Sequence, residues 1–375
     1  MIYVVQQGDT LYSISQQTQI PVWKIEHDNQ LSGQTNLVEG QALLLLGIDE
    51  SGSIRDDLYV TGYAYPFIEQ YILEQSFPAI NELLIFSYGF TFTGELVPPN
   101  PDESWMIALA WQNEINPMLV LTPFAEGTFN NQLVKVLVEN VEIQQTLIEN
   151  LLATMKEKGY AGVDIDFEYI LPENRVGYAE FVGRVRETMN ANDYKVSVAL
   201  APKTSSDQPG LLYEGMDYEL LGANADHVFL MTYEWGFTYG PPMAVAPLNM
   251  VQKVVEYAQT KIPAEKIIMG IPNYGYDWPL PFERGVTKAR LIGNVEAPQI
   301  AEENGVEIQY SDVSQSPFFT YTREGIAHEV WFEDVRSITA KINLAKEHNL
   351  FGVGYWNLMR PFRANWMLLD KTGTS

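Results

Sequence analysis

Apolar residues in this chain follow two rhythms, and the rhythms change at about residue 58. In the first stretch, Ile2 to Val5 is β-branched and aromatic, which predicts a strand. Gly8-Asp9 predicts a turn, and Thr10 is placed to cap a helix running through Leu11, Ile14 and Ser15. Pro21 opens a second helix, Val22 and Ile25 share its face, and Asn29 closes it. Gly40-Gln41 then leads into a strand from Ala42 to Leu46. The first unit, residues 1–47, therefore reads strand, helix, helix, strand. Residues 48–57 are mostly polar and contain Gly52, so they read as a linker.

From Leu58 to the end at 375, short apolar runs alternate with longer helical patterns. The runs are Tyr59 to Tyr65, Glu82 to Ser87, Met118 to Thr122, Gly162 to Phe167, Val196 to Ala201, His227 to Thr232, Ile267 to Ile271 and Gly352 to Trp356. Helical patterns include Leu133 to Lys158, Arg175 to Asn190, Met250 to Gln259 and Val335 to His348. Eight strands alternating with helices over roughly 300 residues predict an α/β fold, a TIM (β/α)8 barrel. The stretch from about 277 to 331 is too long for a simple connection and predicts a small inserted α+β subdomain.

One strand changes the picture from fold to chemistry. In Gly162-Val163-Asp164-Ile165-Asp166-Phe167-Glu168-Tyr169 the three acids stand at alternate positions. On a strand that spacing puts them on one face, and Val163, Ile165 and Phe167 on the other. Three carboxyls facing into a barrel are costly to bury unless they share protons, and their mutual repulsion raises at least one pKa. A carboxyl protonated near neutrality is what a general acid needs. The alternative is a solvated acidic edge strand, which the apolar alternate positions argue against.

Composition narrows the partners. The chain has 375 residues, 46% hydrophobic and 19% charged, enough for one large and one small domain. Its formal net charge of -25 disfavours nucleic acid and anionic membrane surfaces. Peptidoglycan is anionic too, so any wall binding must rest on hydrogen bonds and stacking. With no cysteine, disulfides and thiolate chemistry are excluded. Only 4 His are present, none in a zinc-binding spacing, so neither a metal nor another cofactor is expected. No apolar run, such as ALLLLGI ending at Ile48, approaches the roughly 18 residues of a membrane span. The opening MIYVVQQGDT has neither a charged region nor an apolar region of an ordinary secretory signal. Aromatics make up 12%, with 8 Trp and 21 Tyr; most pack cores, and some suit the faces of pyranose rings. A monomer is expected.

Two resemblances follow from these residues. Tyr3, Val5, Gly8, Asp9, Thr10, Leu11, Ile14, Asn29, Leu37, Gly40, Gln41 and Leu43 match the pattern of a LysM domain. The resemblance implies a groove for N-acetylglucosamine chains, with Gly8, Asp9, Thr10 and Leu31 as contacts; Asp9 and Thr10 also serve the turn and the cap. The acidic strand resembles the DGxDxDxE signature of family 18 glycoside hydrolases, with Ala161 at its first acidic position. That resemblance implies Glu168 as acid/base, Asp166 as the group orienting a 2-acetamido substituent, and Asp164 as its buried partner, in a retaining, substrate-assisted reaction. It also implies that Tyr233 bonds the acetamido carbonyl, that Glu234 contacts the same sugar and that Trp356 stacks under it. Asn273, Tyr276, Asp277 and Trp278 are rim candidates.

The strings MTYEWG, GPPMAVAPL, IPNYGYDWPLPF and GYWNLMRPFRANWMLL are similar to the cortical fragment-lytic N-acetylglucosaminidases of spore-forming bacteria. That family often carries two LysM repeats, whereas one is present here, which implies lower avidity. The expected substrate is a peptidoglycan or chitin-type glycan, cleaved at β-1,4 bonds on the reducing side of N-acetylglucosamine, at a spore or cell wall. A chitinase and a non-catalytic wall-binding lectin remain open alternatives.

Overall fold

The computed structural model describes residues 1–48, 50, 52–125 and 128–371. The N-terminal unit is a two-stranded antiparallel sheet, Ile2–Val4 against Ala42–Leu44, with helices Leu11–Thr18 and Val22–Asn29 between. Thr10 caps the first helix reciprocally: its hydroxyl accepts from Ser13 N at 3.0 Å, and Ser13 Oγ accepts from Thr10 N at 2.9 Å. The unit has its own core of Val5, Ile14, Ile20, Ile25, Leu31, Leu43 and Leu45.

Eight parallel strands close into a barrel. They are Tyr59–Ala64, Glu82–Phe90, Asn116–Leu121, Gly162–Ile165, Lys195–Leu200, His227–Leu230, Ile267–Pro272 and Gly352–Trp356, and the last pairs with the first. All eight coincide with the apolar runs, to within a few residues at each end. Because the barrel strands are buried on both faces, their near-continuous Val, Ile and Leu content is required. The ladder of the fourth barrel strand ends at Ile165, two residues earlier than the apolar pattern predicts, although Asp166 N still donates to Leu121 O at 3.0 Å. Phe167 faces outward as expected: it stacks on Phe90, Tyr178 and Phe181 and is fully buried.

The predicted helix Leu133 to Lys158 is two helices, Asn131–Glu139 and Val141–Lys158. Apolar periodicity runs through the break, which is why the pattern merges them. Asn140 leaves helical geometry, and its side chain accepts from Glu142 N and Ile143 N to start the second helix.

Between the seventh and eighth barrel strands lies an inserted unit. Strands Gly275–Leu280, Arg290–Ile292, Gln309–Ser311, Ser316–Arg323 and Ile326–Trp331 form an antiparallel sheet, and helix Glu296–Glu303 packs on it.

The N-terminal unit is fastened to this insertion and to the barrel. The Glu302 carboxylate accepts from Thr35 N at 3.0 Å and Asn36 N at 2.6 Å. Ile308 N donates to Glu39 O, and Arg336 Nη2 donates to Gly40 O. Gly40 has φ of +83°, and a Cβ there would strike Ile308 O, so glycine is required at this contact. Val38 joins the apolar core of the insertion. On the barrel side, Arg363 Nη1 donates to His27 O and Arg363 N donates to Gln30 Oε1. The expected linker 48–57 is also pinned where it is described; residues 49 and 51 lie outside the described residues. Ile54 N donates to Leu368 O, and the buried Arg55 guanidinium donates to Ala79 O and to Asn81 Oδ1. A polar composition alone does not reveal such anchoring.

Glu302→Ala is expected to lower the unfolding free energy by about 1 kcal/mol, because its bonds are charge-assisted but solvent-accessible. Amide exchange at Thr35 and Asn36 should accelerate. Unchanged exchange at those two amides would show that the carboxylate does not hold the loop.

Candidate active site

Asp164, Asp166 and Glu168 rise along one barrel strand from the interior to the mouth. Asp164 is fully buried and accepts from Tyr63 OH at 2.8 Å and from Ser197 Oγ at 2.5 Å. Burial raises its pKa to about 6, against the lowering effect of those two bonds. Asp166 is buried, and its Oδ1 has no hydrogen-bond partner among the described residues. Burial raises its pKa well above the ordinary carboxylate range, followed by the charges of Glu168 and Asp164. Glu168 lies at the mouth, half-buried; burial and then the charge of Glu234 raise it to about 7.

Asp166, Glu168, Tyr233, Glu234 and Trp356 all line one cleft of about 730 Å3. Trp356, at the end of the last barrel strand, packs edge-on against Tyr63 and Phe86 at ring separations of 5.5 and 5.2 Å. Tyr233 follows the sixth strand, and Gly270 on the neighbouring strand leaves room for its ring: a Cβ there would lie 2.8 Å from Tyr233 Cε1. Aromatic and apolar residues, including Tyr65, Phe67, Phe124, Phe129, Tyr213 and Trp235, form much of the rest of the wall. No Lys, Arg or His lines the cleft among the described residues.

Glu234 accepts from Tyr274 OH at 2.5 Å and from Tyr276 OH at 3.0 Å, both on Oε1. Tyr276 therefore reaches the site through Glu234 and is not itself among the residues that line the cleft. The other rim candidates stand apart from it. Asn273 is buried and donates to Asn357 O and Arg360 O, tying down the segment after the last barrel strand. Asp277 accepts from Tyr321 OH at 2.7 Å and bonds His328 Nδ1 at 2.8 Å inside the inserted sheet. Trp278 is fully buried, its indole N–H donating to Gly240 O. Proximity in sequence to a strand end suggested the rim; the chain instead turns at Gly275 into the insertion, where alternate side chains enter its packing.

Tyr63, Ser197 and Tyr274 were not singled out from the sequence. Tyr63 and Ser197 point inward on barrel strands, and strand alternation could have found them; nothing local marks Tyr274. In the N-terminal unit, Gly8 is exposed with φ of +85° and Asp9 accepts from Tyr3 OH and Gln6 N. Thr10 is occupied in its cap, and the Leu31 side chain is buried in the unit's core.

A carboxyl with a raised folded-state pKa binds its proton more tightly folded than unfolded. Asp164 at about 6, with Glu168 and the half-buried Glu82 at about 7, therefore favour the folded state fully at low pH. Stability is expected to fall as pH rises from the ordinary carboxylate range to about 7 and then to level off. Melting temperature measured across that window should show the slope, and Glu168→Gln should flatten it. An identical slope in the variant would contradict the raised pKa of Glu168.

Comparison with known proteins identifies the family. The family model for glycosyl hydrolases family 18 matches residues 127–360, and that for the LysM domain matches residues 3–45. A cortical fragment-lytic enzyme of Bacillus subtilis (strain 168) is 37% identical over 421 aligned positions, covering 98% of this chain and 97% of that protein. The putative sporulation-specific glycosylase YdhD of the same organism is 31% identical, covering 99% of this chain and 87% of its own. The crystal structure of the Bacillus cereus spore cortex-lytic enzyme SleL is 31% identical, with a TM-score of 0.91 over 100% of this chain and 98% of that one. The chain belongs to glycosyl hydrolases family 18: it is a glycosidase with a TIM-type barrel and an N-terminal LysM domain.

Proposed function

We propose that this glycosidase cleaves β-1,4 bonds on the reducing side of N-acetylglucosamine in peptidoglycan, in spore cortex fragments above all, with retention and with the substrate's own amide as nucleophile. The observation that carries the reading is the convergence of Glu168, Tyr233 and the unpartnered Asp166 Oδ1 on one cleft floored by Trp356. Glu168, protonated near neutrality, gives its proton to the glycosidic oxygen as the bond breaks. The acetamido carbonyl oxygen attacks the anomeric carbon from the opposite face. Asp166 accepts the amide N–H, which favours the attacking orientation and the positive charge that develops. The Tyr233 hydroxyl donates to the amide oxygen, and Trp356 stacks under the sugar. Glu168, now a carboxylate, takes a proton from the water that opens the cyclic intermediate.

The relatives named for cortex and sporulation support spore-wall material as the substrate. Substrate assistance needs a free 2-acetamido group at the cleaved bond. Muramic lactam has tied up that nitrogen, and muramic acid carries a bulky 3-lactyl group, so N-acetylglucosamine is the sugar that fits. Residues 1–47 serve as the wall-binding module and 58–375 as the catalytic unit, with the insertion at about 277–331. The reading has the enzyme act as a monomer at the spore or cell wall.

Glu168→Gln is expected to reduce kcat on cortex fragments by about 10³-fold, within the range of a lost general acid. A thiazoline mimic of the cyclic intermediate should inhibit the parent enzyme competitively. Mass spectrometry should find N-acetylglucosamine at the new reducing ends. A fully active Glu168→Gln enzyme defeats the catalytic assignment, and absence of thiazoline inhibition points to a protein nucleophile. Faster turnover of chitin oligomers than of cortex fragments would favour a chitinase.

A further inference from the structure

Glu234 is held in an unusual way. Its backbone φ is +67°, in the left-handed region that a glutamate enters at a cost and keeps only where its surroundings fix it. Two phenols supply that fixing. Tyr274 OH and Tyr276 OH both donate to Oε1, at 2.5 and 3.0 Å. Tyr276 lies on the first strand of the insertion and Tyr274 immediately precedes it. Among the described residues nothing hydrogen-bonds the other oxygen of Glu234, and the residue lines the cleft while the two phenols stand behind it.

We propose that Tyr274 and Tyr276 are positioning residues, which pin one oxygen of Glu234 so that the other is presented to the sugar, and that this is a task of the inserted subdomain in the reaction. The inference rests on the reading of Glu168 as acid/base. Its electrical consequence follows from the neighbours. Facing Glu168 and Glu234 are Asp166 two residues before Glu168, Tyr65 just after the first barrel strand, Tyr169 after Glu168, Tyr233 beyond the sixth strand, and Tyr274 and Tyr276 at the start of the insertion. None is a cation. Neutral phenols stabilise the Glu234 carboxylate without cancelling its charge. Burial raises the pKa of Glu234, and the two phenol bonds lower it. Its charge is, after burial, the cause that raises Glu168 to about 7. Removing a phenol raises Glu234 toward neutrality, weakens that repulsion and lets the Glu168 pKa fall.

The test is a double-mutant cycle on the full-length enzyme, with a chromogenic chitobioside as probe. Tyr276→Phe keeps the packed ring and removes one bond to a charged group, so kcat should fall about tenfold. KM should change less, and the alkaline limb of the pH profile should move to lower pH. In a Glu234→Gln background, Tyr276→Phe should cause little further loss. An equal loss in both backgrounds, or an unmoved alkaline limb, overturns the proposal and leaves Tyr276 a packing residue. If Tyr276→Phe does not fold, Tyr274→Phe carries the same cycle with the same expected and contrary outcomes. Failure of thiazoline inhibition in the parent would strike the substrate-assisted reading separately, because the cycle reports only coupling between the phenols and Glu234.

Discussion

Carboxyl groups without a cation are the constraint around which this site is built. Asp164, Asp166, Glu168 and Glu234 gather at one end of a closed barrel, and no basic side chain lines the cleft beside them among the described residues. In water such a group would simply ionise; here desolvation, complete for Asp164 and partial for the more exposed Glu168 and Glu234, raises the pKa of every one of the four. Hydroxyl groups take the place that arginine or lysine holds elsewhere. Tyr63 and Ser197 satisfy Asp164, and Tyr274 and Tyr276 satisfy Glu234. Hydroxyls stabilise a carboxylate without neutralising it, so the repulsion that keeps Glu168 protonated survives. A salt bridge to Glu234 would weaken that repulsion and leave less of Glu168 protonated near neutrality.

Much of this was legible in one dimension. Barrel strands are short apolar runs because they are buried on both faces, and all eight could be located. The alternation in 163–168 placed three acids inward and Phe167 outward, which its stack on Phe90, Tyr178 and Phe181 bears out. Thr10 could be read as a cap because capping is a local bond. What escaped was non-local or competed with a stronger local signal. The break at Asn140 interrupts backbone geometry but not apolar periodicity. Asn273, Asp277 and Trp278 look like rim residues from their position after a strand, yet their partners, Arg360, Tyr321 and Gly240, lie far away in sequence. Tyr274 acquires its role only when the chain turns back toward Glu234.

The insertion links the two ends of the molecule. On one side it sends phenols to Glu234; on the other, its helix presents Glu302 to the amides of Thr35 and Asn36, and Ile308, beyond that helix, donates its N–H to Glu39 O. Its own apolar core takes in Val38 of the LysM domain. Covering a sheet face and supplying side chains to a neighbouring cleft are separate tasks, and alternate residues of the strand Gly275–Leu280 divide them. Tyr276 bonds Glu234, whereas Asp277 turns to Tyr321 and His328.

The attachment of the LysM domain on two sides bears on how the enzyme meets an insoluble polymer. A module on a loose tether samples a volume, and the local concentration of the cleft near its anchor is diluted by the reach of the tether. Here Arg363 clasps the module from the barrel while Glu302 clasps it from the insertion, so, on the proposed function, the interval along a glycan between a sugar held by the module and the cut bond is set by the body of the protein. The molecule then works as calipers rather than as a hook on a line.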